Sequence, residues 1–290
     1  MMNFAADNAA LRTADVRRRF DRAATHFDEF DFVHTVGRNG LLARLDSMAL
    51  DAKVIVDLGC ATGSACPSLL RRFRRARIIA IDLSLPMLER AKAKRPRFAK
   101  LSAIQANAVS LPLADQSVDI VFANMLLPWV PEPAPMFGEV ARILRKDGVF
   151  LFATLGPDSL LELRNAWQGV DPGPHVNRFL DMHDVGDVAV RAGLRDPVLD
   201  VDRLTVTYAS ATALFRDLTA TGGRNSLRHR RQSLVGKNRF RAMTDTLDAD
   251  KSDGVISLDL EIVYGHCWGS GQTRSDGEIR IDAAQIGRRR

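Results

Sequence analysis

The sequence predicts an α/β fold: a mostly parallel sheet of seven strands with helices on both faces, an antiparallel hairpin at one edge and a helical insertion before the last strand. Three observations predict it. Short apolar runs of β-branched type alternate with stretches of helical periodicity, the pattern of a doubly covered parallel sheet. The first such run, Val54, Ile55, Val56 and Leu58, ends in D-x-G-x-x-x-G, where a buried strand hands over to a ligand-binding loop. Two long strand-like runs near the end, one reaching Tyr208 and one spanning residues 255–268, enclose a helical stretch.

The elements follow in order. Val16, Phe20, Ala23, Phe27 and Phe30 recur at spacings of four, three, four and three, so they share one face of a helix. That face is either a core stripe or a flap that brings Phe27 to the ligand loop. Beyond the loop, Cys66, Leu69, Leu70 and Phe73 mark a helix, with Ser64 as its cap and Pro67 in its first turn. Residues 77–82 form a second strand ending in Asp82, and a third strand ends near Gln105 before a Leu-Pro-Leu turn. Residues 117–129 hold a fourth strand with Asn124 at its carboxyl end and Trp129 in the lip beyond. Met136, Phe137, Val140, Ile143 and Leu144 mark a helix stopped at Lys146-Asp147-Gly148, and residues 149–156 give the fifth strand. A helix with Val185, Val188 and Ala189 inward precedes the strand to Tyr208. The chain divides into a helical flap (1–50), a nucleotide-binding core (51–208), a helical lid (209–251) and a final strand with a basic tail (252–290).

Composition narrows the function classes. The 290 residues are 46% apolar, enough for one large core or two modest ones. No apolar run approaches the length of a membrane span and the start has no hydrophobic signal core, so neither membrane nor export is expected. Three cysteines make no paired framework, which suits a reducing cytoplasm. Cys60 and Cys66 lack the spacing and partners of a metal site and read as small packed side chains. The net charge is +6, with a pI near 9.6. Residues 218–244 carry no acid but include Arg224, Arg228, Arg230, Arg231, Lys237, Arg239 and Arg241. Such a patch invites an acidic partner, and an acidic carrier protein fits better than nucleic acid, because Phe240 is the lone aromatic there for base stacking. Arg17 to Arg19, residues 71–77 and Arg288 to Arg290 read as solvated faces or helix ends. Residues 269–277, rich in small polar side chains, read as a mobile tail.

The loop decides the ligand. A dinucleotide fingerprint needs a third glycine, and Gly59-Cys60-Ala61-Thr62-Gly63 lacks it. Asp57 puts a carboxylate beside the loop, suited to an ammonium, and Asp82 is placed for ribose hydroxyls. Together these features resemble the class I S-adenosylmethionine-dependent methyltransferases, with a plain dinucleotide fold or a structural strand-turn-helix as alternatives. The resemblance implies a Rossmann-like core binding S-adenosylmethionine through Asp57, Gly59, Ala61, Gly63, Asp82, Leu83, Asn107, Ala108 and Asn124. Many relatives carry an acid where Asn107 stands, so an amide oxygen would have to accept from the adenine.

Further motifs narrow the family. The segment FATLGPDSLLELR, the stretch DMHDVGD, the step GGRN at residues 222–225 and YGHCW near the end resemble the malonyl-[acyl-carrier protein] O-methyltransferases of biotin biosynthesis. That resemblance runs almost end to end. Two departures stand out: Phe27 replaces a frequent tyrosine and Pro128 a frequent glutamine. It implies methylation of the free carboxylate of a malonyl group on the phosphopantetheine arm of an acyl carrier protein. A carboxylate with a pKa of about 4 is ionised at neutral pH, so no catalytic base and no metal are expected. What the chemistry needs is in-line placement in a dry site. Recognition of the acid suits an arginine fork. Arg224, with Asn225 beside it, is the first candidate and Arg178 the second, with Phe27 and Trp129 near the reacting groups; the bland meaning of either arginine is a surface charge. Rival readings are a methyltransferase for another small acid or a quinone precursor, and a cofactor-binding assembly factor that does not methylate.

Overall fold

The computed structural model describes residues 11–97, 99–171, 173–228 and 236–271. Arg230, Arg231, Arg288 to Arg290 and residues 272–277 of the tail lie outside the described residues. The chain begins with α1 (Thr13–Ala23), the single turn α2 (Phe27–Phe30) and α3 (Phe32–Asp46). Then come β1 (Val54–Leu58), α4 (Cys66–Arg72), β2 (Arg77–Asp82), α5 (Leu85–Ala93), β3 (Leu101–Gln105) and β4 (Val118–Asn124). A 3-10 turn (Leu127–Trp129), α6 (Pro133–Ile143), β5 (Leu144–Leu155), α7 (Leu161–Gln168) and α8 (Met182–Arg191) follow. The chain ends with β6 (Leu194–Tyr208), α9 (Ala211–Ala220), α10 (Lys237–Ala249) and β7 (Ile256–Gly269).

The seven strands form one sheet in the order β3-β2-β1-β4-β5-β7-β6. β1 pairs in parallel with β2 and β4, and β7 runs antiparallel to both β5 and β6, as the sequence led one to expect. The central strand is apolar because both its faces are covered. One cluster joins Leu41 and Leu45 of α3 to Leu69, Leu88, Ile120 and Phe122. On the opposite face Met136, Phe137, Val140 and Ile143 of α6 and Val185 and Ala189 of α8 pack on Val121, Phe150 and Phe152. The inserted helices α9 and α10 share a third cluster, in which Leu214, Met243 and Leu247 meet Leu163, Trp167 and Leu258.

Three local expectations are corrected. The amino-terminal stripe is not one helix: α1 stops at Ala23, and the chain bends through Ala24 to His26 before α2. Burial of Phe27 with Ala23, Ala24 and Met87 wins over continued periodicity, while Phe20 and Phe30 are left half-buried. Ser64 does not cap α4; Ala65 stands at the cap without a side-chain bond, and Ser64 Oγ instead lies 3.2 Å from Thr62 Oγ1. Leu144 is extended and pairs with Val118, so α6 ends at Ile143 and the fifth strand starts earlier than its apolar run.

Phe137, fully buried, stands edge-on to Phe150 at 5.5 Å and Phe152 at 5.8 Å, which fixes α6 to the sheet. Phe137→Ala should cost about 3–5 kcal/mol in urea unfolding. A loss below about 1 kcal/mol would show that α6 is held by something else.

Candidate functional site

The site lies outside the carboxyl ends of β1, β2 and β4, where an open parallel sheet leaves a crevice. Gly59 turns the chain with φ +71°, and a Cβ there would meet Leu126 Cδ1 at 2.9 Å. Its N–H donates to the Ile81 carbonyl at 2.8 Å, which draws the loop across to β2. Ala61, also at positive φ, donates its N–H to Asp82 Oδ2 at 2.9 Å, and Ser84 N–H reaches Asp82 Oδ1 at 2.8 Å. Thr62, 1% exposed, donates to Asp28 Oδ1, and Lys94 Nζ bonds the same hydroxyl at 2.9 Å, clamping the loop to the amino-terminal segment.

Asp57, 2% exposed, accepts the Cys66 thiol at 3.4 Å. Burial pushes its carboxyl up to about 7, and the neighbouring Asp82 charge adds to the rise. Burial also pushes Asp82 up to about 6, against the backbone N–H groups of Ser84, Ala61 and Leu83. Two carboxyls that ionise reluctantly side by side form a seat for a cation.

An open cavity of about 990 Å³ occupies this crevice. The structure brings Asp57, Gly59, Ala61, Asp82 and Leu83 to its wall, with Asn107, Ala108 and Asn124. Phe27 and Trp129 line it as well. Gly63 does not reach the wall; its α-carbon faces α5, where a Cβ would meet Ala91 Cβ at 2.8 Å. Asn107 Oδ1 accepts from Val109 N–H at 3.3 Å, so that oxygen already closes a turn. Asn124 Nδ2 donates to the His34 carbonyl at 2.9 Å, and its Oδ1 is enclosed with no hydrogen-bond partner. Cys60 and Cys66 are buried, and burial raises both thiols.

A second open cavity, about 1960 Å³, lies between α7, α9 and the sheet edge. Arg224, Asn225 and Pro128 line it; Arg178 is exposed and lines neither cavity. Arg224 gives Nε to Thr219 Oγ1 at 2.6 Å and Nη2 to the Phe215 carbonyl at 3.2 Å, so it also closes the end of α9. Asn225 Nδ2 donates to the Pro174 carbonyl at 2.6 Å. The two cavities share His34, Met125 and Trp129.

Sequence reasoning missed Arg19, His34 and Arg38. Arg19 lines the second cavity and donates to the Asn225 carbonyl at 2.5 Å. Arg38 lines the first, held by Asp31 at 3.3 Å and Thr35 Oγ1 at 2.9 Å. His34, Arg38, Leu41 and Leu45 stand at intervals of four, three and four, a helical face that could have revealed both polar residues beside the core pair. Among the described residues no cluster of His, Cys, Asp and Glu could hold a metal, and no helix is long and apolar enough to cross a membrane.

Residues 56–152 match the family model described as a methyltransferase domain. A protein of Halorhodospira halophila named malonyl-[acyl-carrier protein] O-methyltransferase is 38% identical over 281 residues, covering 95% of each chain. One of the same name from Methylovorus sp. is 37% identical over 269 residues, 91% of each. Among solved structures, the YcgJ protein of Bacillus subtilis superposes with a TM-score of 0.57 at 17% identity, over 80% of this chain and 98% of that one. This last likeness speaks to the fold alone.

The raised carboxyls set a pH dependence. Folded Asp57 titrates near 7 against an ordinary 3.8, so between those values the folded state holds the extra proton. Stability therefore falls as pH rises through that window, and the penalty is fully present above 7. Asp57→Asn removes its share: relative to the parent, the variant should gain stability in urea between pH 5 and pH 8. Equal pH slopes for the two proteins would refute the assignment.

Proposed function

The chain belongs to the malonyl-[acyl-carrier protein] O-methyltransferase family, and from that premise we propose that it methylates the free carboxylate of malonyl-[acyl-carrier protein] in biotin biosynthesis. The observation that carries this reading is the pair of cavities meeting at His34, Met125 and Trp129, the first lined by Asp57 and Asp82 with Arg38, the second by Arg19 and Arg224 with Asp217, so that their net charges are of opposite sign. Such a pair suits a cationic donor on one side and an anionic acceptor on the other.

S-adenosylmethionine, when bound, would supply a methyl carbon on a sulfonium, the O–C bond forming from a carboxylate lone pair as the C–S pair returned to sulfur, with no proton to move. The protein's task is binding, alignment and exclusion of water. Asp57 meets the donor's ammonium and Asp82 its ribose hydroxyls. Gly59, Ala61 and Leu83 supply close backbone, Asn107 and Ala108 flank the adenine, and Asn124 closes the floor. Arg38, which lines the same cavity as Asp57, is suited to the donor's carboxylate. In this reading residues 1–50 form a flap over the donor, 51–208 the core, 209–251 a cover over the acceptor cavity and 252–290 the closing strand and tail. The unpaired, buried cysteines accord with a cytoplasmic setting.

In the acceptor cavity Arg19 and Arg224 attract the acid, while apolar side chains such as Leu163, Phe179 and Leu258 suit the arm behind it. The carrier itself docks outside, on the basic first turns of α10. Lys237, Arg239 and Arg241 are exposed there, and the Phe240 ring lies tilted against Phe215 of the cavity wall, with centroids 5.2 Å apart. Arg239 already pairs with Asp171 at 3.2 Å, which leaves Lys237 and Arg241 as the charges to test.

Mass spectrometry of malonyl carrier after incubation with the protein and S-adenosylmethionine should show one added methyl on the acyl group; none would sink the reading. Replacing both Lys237 and Arg241 by Glu should raise KM for malonyl carrier about tenfold at low salt and leave malonyl-pantetheine unaffected. Equal effects on the two substrates would remove α10 from the docking surface.

A further inference from the structure

The transferred methyl has to cross where the two cavities join, and few side chains stand there. Of the three residues common to both walls, Met125 offers no hydrogen-bond donor, and Trp129 is fixed edge-on against Phe20 at 5.2 Å. His34 is the one titratable residue of the three. It belongs to the first turn of α3, and its ring rests on Phe27 with centroids 4.9 Å apart. Its carbonyl is tied to Asn124, so the backbone beneath the ring is anchored to the end of β4. Nδ1 is enclosed and has no hydrogen-bond partner. Nδ1 is thereby shut off from any ligand, which leaves Nε2 as the ring nitrogen able to meet one.

We propose that His34 is a substrate-aligning residue, whose imidazole Nε2–H donates to the malonyl carboxylate oxygen that does not attack and so turns the other oxygen towards the methyl. The proposal rests on the reading of the protein as a carboxyl methyltransferase. The tautomer follows from the enclosure: a bare acceptor at Nδ1 is less costly than a bare N–H, so the proton belongs on Nε2. Burial pulls the ring down to about 4, with Asp31 opposing and Arg38 assisting, and it is therefore neutral at pH 7.

Neutrality is what the chemistry favours. The attacking carboxylate loses negative charge as the bond to carbon forms. A cation at the reacting oxygens would stabilise the starting anion more than the transition state and slow the step. An uncharged donor orients the acid with a smaller penalty. Arg19 and Arg224 line the acceptor cavity alone and Arg38 the donor cavity alone, so their charges act on capture rather than on the transfer itself.

The test compares His34→Leu and His34→Gln with the parent, using malonyl carrier and S-adenosylmethionine in steady state and calorimetry with S-adenosylhomocysteine. His34→Leu should lower kcat about 30-fold. KM for the donor and the affinity for S-adenosylhomocysteine should stay within about threefold. His34→Gln, which keeps an N–H donor, should recover most of the lost kcat. A leucine variant with near-parental kcat, a glutamine variant as slow as leucine, or loss of S-adenosylhomocysteine binding matching the loss of rate would each overturn the proposal. Absence of methyl transfer by the unaltered protein would overturn the broader reading with it, and is told apart because it shows before any substitution is made.

Discussion

One hydrogen bond fixes the geometry on which both cavities depend: Asn124 Nδ2 to the carbonyl of His34, at 2.9 Å. It joins the carboxyl end of β4 to the first turn of α3, two elements 90 residues apart in sequence. The joint closes because α3 presents glycine to the sheet. A Cβ on Gly37 would sit 2.7 Å from Asn124 Oδ1, and one on Gly40 would enter the ring of Tyr264. With the helix lying this close, His34 and Arg38 are carried over the crevice instead of past it. Arg44 continues the anchoring, stacking over the Tyr264 ring at 3.7 Å and pairing with Asp200 of β6. Thus α3 is braced along its whole length by the same sheet whose strand ends form the site.

That bracing leaves the two cavities with opposite charge bias. Asp57 and Asp82 lie under the donor side, ionising reluctantly because burial disfavours their charge. A permanent cation seated against them would relieve that cost, which makes a ligand-free site that is slightly strained and a liganded one that is not. Arg19 and Arg224 stand on the far side of His34 and Trp129, with Asp217 among them, while Arg38 stays with the acids. The two cavities therefore differ in the sign of their net charge, and on the proposed reading that difference would draw unlike reactants to one junction.

Much of this was legible in the chain. The D-x-G-x-x-x-G loop located the crevice, and alternation of apolar runs located every strand, because both signals are local. Asp57 and Asp82 were readable for the same reason: each stands at, or one residue before, the end of a buried strand. What was not legible came from contacts distant in sequence. The break after Ala23 follows from Phe27 sinking onto Met87 of α5. The extended Leu144 follows from pairing with Val118. Arg224 ranked ahead of Arg178 in the sequence, but either could have been a plain surface charge, and only the packing of α9 shows that Arg224 alone of the two reaches a cavity wall. His34 was hidden by its type, since a histidine on a helix face more often packs or faces solvent.

The same comparison explains why the family signal and the chemical signal sit in different places. The cofactor loop is a solution to approaching a ligand with bare backbone, and many unrelated substrates can share it. Specificity has to come from groups that meet the second reactant, and the groups proposed for that role lie on α1, α3 and the segment after α9, outside residues 56–152 that match the methyltransferase domain. Arg19, His34 and Arg224 are separated by up to 205 positions in the chain, yet Arg19 reaches the carbonyl of Asn225 directly. On the proposed reading, an amino-terminal segment folded against a late insertion is the structural condition for acid recognition, and a core domain lacking either piece would keep the first cavity but have no wall on which to hold a carboxylate.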